Sequence, residues 1–205
     1  MSEKTKLRRS TLFSAIITGF VFLYKLIMGI YSRSMVLLIA ALSALMLLIC
    51  KIVFVDNVTG LRTEKKKAYF IMMISSIIYI AIFIAFSVLK VCDIDISSSN
   101  PFEGWLGYLF IGFLALSFLS SLLSLIKAQG KDDLMVMGLR QIIFISALTD
   151  LVLIEQFVSS FLFEHYEIDI TWLDQYFPLG IAGLMVLMTF IMFVIFLKYK
   201  TKKKA

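Results

Sequence analysis

The stretch WLGYLFIGFLALSFLSSLLSLI, Trp105–Ile126, runs for 22 residues without an Asp, Glu, Lys, Arg or His. A helix in a water-soluble domain keeps a polar face, whereas crossing a hydrocarbon core takes about 20 apolar residues in helix. Five more runs of comparable length lie on either side: Thr11–Tyr31, Met35–Val55, Ala68–Val91, Gln141–Phe163 and Pro178–Leu197. They are too long and too uniformly apolar for barrel strands, and an isolated strand in lipid would leave its N–H and C=O groups unpaired. The expected fold is all-α, a polytopic six-helix transmembrane bundle forming a single membrane domain over residues 1–205. Composition agrees: 60% hydrophobic residues, 17% charged and a mean hydropathy of +0.95 leave too little polar surface for a soluble domain of this size.

The net charge of +6 does not point to nucleic acid, because the basic residues fall on alternate sides of the spans. Lys4, Lys6, Arg8 and Arg9 precede the first run, and Arg62, Lys65, Lys66 and Lys67 the third. Lys127, Lys131 and Arg140 precede the fifth, and Lys198, Lys200, Lys202, Lys203 and Lys204 follow the sixth. The positive-inside rule puts all of these, with both termini, on the cytoplasmic face of a plasma or inner membrane. The intervening loops carry Asp93, Asp95, Glu103, Glu164, Glu167, Asp169 and Asp174 against Arg33 and Lys90 and are expected to face outward. The tail Tyr199–Ala205 reads as a stop-transfer anchor that favours anionic lipid at the cytoplasmic face.

The first run is as long as a span and no small-residue cleavage motif follows it, so it is expected to stay in the mature protein. Cys50 and Cys92 lie near opposite ends of their spans, too far apart for a disulfide. Asn57-Val58-Thr59 matches a glycosylation acceptor, but on a loop expected in the cytoplasm. Ser32-Arg33-Ser34 forces the first two spans into an antiparallel hairpin. Asp56–Lys67 is a polar loop, Asn100-Pro101 and Gly104 mark the start of the fourth span, and Met135–Leu139 reads as a short amphipathic stretch on the inner surface. Trp172, Tyr176 and Phe177 suit an interfacial anchor before the sixth span.

Three ionisable residues are read as intramembrane: Lys25, Asp150 and Glu155. Each costs several kcal/mol there unless paired, hydrated or neutralised. Asp150 falls near the midplane. Lys25 and Glu155 lie at matching depths, which predicts a buried ion pair between them, with a gating role as the alternative. At 100° per residue Ser146 and Asp150 share one face of the fifth helix, while Glu155, Gln141 and Ser159 point about 140° away. A helix polar on two faces belongs at the bundle centre. Ser14, Thr18, Lys25 and Gly29 form a stripe on the first helix that is expected to face protein. Ser117, Ser120, Ser121 and Ser124 have small-xxx-small spacing, which predicts close helix packing in preference to a pore.

His165 is a lone histidine beside Glu164 at a membrane edge, and no Cys-x-x-Cys, His-Glu-x-x-His or nucleophile-base spacing occurs. No metal, cofactor or enzymatic activity is expected. Four segments nevertheless resemble the six-helix membrane domain of the cation diffusion facilitator family, proton-coupled exporters of divalent metals. Lys25–Gly29 followed by Ser34 and Met35–Ala44 resembles its first-to-second helix passage, and Gly60–Glu64 its inner loop. Ser146-x-x-x-Asp150 is similar to its fifth-helix ligand pair, and Trp172-Leu173-Asp174 to its approach to the sixth helix. The resemblance implies a site formed by Ser43 and Leu47 of the second helix with Ser146 and Asp150 of the fifth. Of these only Asp150 is a good ligand, too few for tetrahedral zinc, and the family's cytoplasmic domain is not expected. The implied protein is a degenerate member with the scaffold kept and the metal site dismantled.

The function expected from these features is secondary transport of a small solute or cation along Asp150, Ser146 and Ser43. The alternative is a non-transporting membrane subunit, with a homodimer or a membrane-protein partner.

Overall fold

The computed structural model describes residues 3–57, 62–92, 105–128, 133–166 and 171–201. They form six helices: α1 (Glu3–Tyr31), α2 (Met35–Asn57), α3 (Arg62–Val91), α4 (Trp105–Ala128), α5 (Leu134–Tyr166) and α6 (Thr171–Thr201). No strand occurs among the described residues, and the architecture is an all-α bundle. Five helices are long and apolar enough to cross a membrane. The sixth, α4, is 24 residues long, about 36 Å at 1.5 Å per residue, and its described apolar stretch is Ile111–Leu123.

Most helices begin earlier than the apolar runs, because hydropathy marks the part of a helix in hydrocarbon and not where its hydrogen-bond ladder starts. α1 and α3 extend back through their lysines and arginines, and α5 begins at Leu134. Met135–Leu139 is therefore not a separate surface stretch. Met135, Val136 and Leu139 are buried as the first turns of α5, capped by Asp133, whose carboxylate accepts the Met135 N–H at 3.0 Å and pairs with Lys65 of α3 at 2.7 Å. α6 likewise starts at Thr171 and runs through Pro178, with Asp174 in its first turn, where a carboxylate suits the helix dipole. Trp172 and Tyr176 are exposed, as an interfacial anchor requires, but Phe177 packs against the core.

The hairpin α1–α2 is closed by a left-handed residue. Arg33 has φ 52°, which lets the Ser34 N–H reach the Gly29 carbonyl at 3.0 Å. Ser34 then caps α2, its hydroxyl accepting the Leu37 N–H at 3.4 Å. The two helices approach so closely here that a Cβ on Gly29 would lie 2.9 Å from Leu38 Cδ2 and 3.1 Å from the Leu38 nitrogen.

α5 is the centre of the bundle, packing against α2, α3, α4 and α6. This explains its two polar faces: Gln141, Ser146, Asp150, Glu155 and Ser159 are all buried. The α3–α5–α6 junction is locked by Tyr69, fully buried, which donates to the Met192 carbonyl at 3.0 Å and stacks on Phe196. Gly138 makes room for that ring, since a Cβ there would lie 2.7 Å from it. A belt of large apolar side chains faces outward, including Phe13, Phe20 and Ile27 of α1, Leu116 and Leu119 of α4, and Leu187 and Phe190 of α6. Such a belt suits lipid rather than water.

The expected glycosylation loop at Val58 and Thr59, the turn at Asn100, Pro101 and Gly104, Gly60 of the inner loop, and Glu167 and Asp169 lie outside the described residues.

Candidate functional site

α1 packs on α2 and α4 packs on α5, but α1 and α4 do not pack on each other. Between them lies a cavity of about 530 Å³. Its floor is formed by α2 and α5. The polar side chains that line it are Ser14, Thr18 and Lys25 of α1, Lys51 of α2, Ser117, Ser120 and Ser121 of α4, and Ser146 and Asp150 of α5.

The α1 contribution follows from its spacing. Ser14, Thr18, Val21 and Lys25 differ by four, three and four residues, so they stand in one row about 16 Å long. As expected, this stripe faces protein: Thr18, Lys25 and Gly29 are buried and Ser14 is half-buried. Of the serine row of α4, Ser117, Ser120 and Ser121 border the cavity, and Ser121 is also buried; among the described residues α4 packs on α5.

At one end Lys25 donates to Asp150. Lys25 is 1% exposed, so the pair lies in a low-dielectric interior where each ion needs the other. The expected Lys25–Glu155 pair is not formed. Equal depth brought these residues to one level, but Glu155 points to the opposite side of α5 from Asp150 and has Asp174 of α6 and Lys90 of α3 as its electrostatic neighbours. Lys90 and Asp174 pair at 3.7 Å, and the Glu155 carboxyl is buried beside that of Asp174.

At the other end is a lysine that sequence reading passes over. Lys51 lies six residues before the end of α2, close enough to the interface to suggest that its ammonium reaches out to water. Instead it is buried and turned inward. It donates to Ser14 Oγ at 2.8 Å, Thr18 Oγ1 at 2.6 Å and the Ser14 carbonyl at 3.3 Å. Thr18 in turn donates to the Ser14 carbonyl at 2.9 Å, which leaves its lone pairs free to accept from the ammonium. The signal that could have located Lys51 is the hydroxyl pair Ser14 and Thr18, one turn apart on the helix that the hairpin forces against α2.

Ser43 does not line the cavity. It is fully buried behind Ser146, with 3.4 Å between the two hydroxyl oxygens, and donates to the Ala40 carbonyl at 2.8 Å. Ser146, Asp150 and Leu47 do border the cavity. Among the described residues no three His, Cys, Asp or Glu side chains come together as a metal site. Cys50 is buried and Cys92 exposed, both as free thiols. His165 is exposed and stacks on Phe161, its Nδ1 3.2 Å from the Phe161 carbonyl.

The chain matches no protein-family model, no curated protein and no solved structure. Function must therefore be argued from the cavity's own chemistry.

Proposed function

We propose that this chain is a multi-pass membrane protein, with six spans and both termini in the cytoplasm, that moves a small solute through the α1/α2/α4/α5 cavity. The carrying observation is that Asp150 borders that cavity while being held by Lys25 from a helix that does not otherwise pack on α5. The ion pair is then a latch between two half-bundles. A proton or cation in the cavity competes with Lys25 for the carboxylate, and an anion competes with Asp150 for the ammonium. Either event releases α1 from α5. Intramembrane acids paired across a hydrated space are the usual elements of such relays.

The resemblance to cation diffusion facilitators is retained as a proposal about scaffold only. It is supported by Leu47, Ser146 and Asp150 bordering one cavity with Ser43 immediately behind, and it carries no metal site with it.

The test is a pH-jump assay in proteoliposomes loaded with a pH-sensitive dye. Wild-type protein is expected to dissipate the gradient and Asp150→Asn to lose that flux. Absence of flux from wild type favours the second reading, a non-transporting membrane subunit. One observation speaks for that reading: among the described residues α4 packs on α5 alone, which leaves its other flank for a partner helix.

A further inference from the structure

The charges lining the cavity do not balance. Lys25 and Lys51 contribute two positive charges and Asp150 one negative, and the remaining polar groups are neutral hydroxyls. Asp150 is taken by Lys25. Among the described residues Lys51 is thus a buried ammonium held by hydroxyl and carbonyl dipoles, and serines from α1 and α4 line the same space. In a low-dielectric site a single excess charge attracts a counterion strongly, and hydroxyl and ammonium donors together suit a phosphate or carboxylate oxygen.

The walls of the cavity say where the counterion comes from. Ile17 and Val21 of α1 line the cavity together with Phe113 and Leu116 of α4, and Ile17, Phe113 and Leu116 are exposed on the outer surface of the bundle. Because α1 and α4 do not pack together, the cleft opens sideways, toward the bilayer rather than only toward water. Its polar end is also at the right height. Lys51 is about 9 Å along the helix axis from the end of α2, near the face of the bundle where Lys65 and Lys66 lie in the first two turns of α3 and where a headgroup layer is expected.

We propose that the cleft takes one anionic phospholipid from the adjoining leaflet. Its phosphate replaces the Ser14 carbonyl, the longest of the Lys51 contacts at 3.3 Å, as an acceptor of the ammonium and accepts the Ser14 hydroxyl hydrogen, and an acyl chain runs along Ile17 and Leu116. This rests on the cavity being the functional site and names the class of molecule it receives.

Purified protein in detergent is titrated with dioleoylphosphatidylglycerol or dioleoylphosphatidylcholine and read by native mass spectrometry. Wild type is expected to retain one phosphatidylglycerol with about tenfold preference over phosphatidylcholine. Lys51→Gln should abolish the preference and Lys51→Arg keep it. Lys66→Gln, at the same membrane face but over the Phe196 ring, should leave it unchanged. Equal retention of the two lipids by wild type, or a preference indifferent to Lys51→Gln, overturns the proposal.

Should Lys51→Gln fail to fold, a phosphatidylglycerol with a photoreactive acyl chain is cross-linked to wild-type protein. Adducts on Ile17, Val21, Phe113 or Leu116 support the site, and adducts concentrated on Phe70 or Phe190 overturn it. Binding is measured here without flux. A protein that retains the lipid but dissipates no gradient loses the transport reading and keeps this one, and flux without lipid preference does the reverse.

Discussion

Lys25 reaches Asp150 rather than Glu155 because helical phase outranks depth: two residues at one height interact only if their helices turn them toward each other. Removing one partner of a buried ion pair strands the other charge, so Lys25→Met and Asp150→Leu should each destabilise the protein by about 3–5 kcal/mol, and the double variant should recover most of that loss. Chemical denaturation in mixed micelles checks this. A charge swap of Lys25 with Asp150 should recover stability where a swap of Lys25 with Glu155 does not. If the Glu155 swap recovers instead, the observed pairing is wrong. Gly138 offers a second test at this scale. Its missing Cβ would lie 2.7 Å from the Tyr69 ring, which is held by the Met192 carbonyl and Phe196 and cannot retreat. Gly138→Ala should destabilise by about 1–3 kcal/mol, and Tyr69→Phe should not rescue it, because the clash is with the ring and not the hydroxyl.

Among the elements, the α1–α2 hairpin depends on one residue in an unfavourable conformation. A left-handed residue with a Cβ costs roughly 1–2 kcal/mol, and Arg33 occupies that position at φ 52°. Arg33→Gly removes the steric penalty and raises the entropy of the unfolded chain, so a net gain of about 0.5–1 kcal/mol is expected in the same denaturation assay. A loss would show that contacts of the arginine side chain outweigh its backbone strain. The turn itself was legible from the sequence, since three residues between two spans permit nothing but a hairpin. The element starts were less so. Hydropathy located the lipid-immersed part of α3, α5 and α6, while their first turns depend on capping and charge, as with Asp133 at the head of α5.

For the molecule as a whole, the uneven packing predicts uneven stability. Among the described residues α4 leans on α5 alone, partly through Phe118 and Phe144 with ring centroids 6.2 Å apart. Phe144→Ala should therefore loosen α4 before the rest, seen as faster hydrogen exchange in Ile111–Leu123 with α2 and α3 unchanged. Uniform acceleration across the bundle would contradict this. The amino-acid sequence by itself determined that the chain is helical and made for lipid, because long uncharged runs leave no other way to satisfy the backbone. It also determined that α5 is central and that Ser14, Thr18 and Lys25 turn inward, since periodicity places polar groups on faces. Which polar groups meet was decided only by tertiary structure. Periodicity is a property of one helix, whereas the Lys25–Asp150 pair, the inward turn of Lys51 and the cavity between α1 and α4 depend on how separate helices are rotated and spaced against one another.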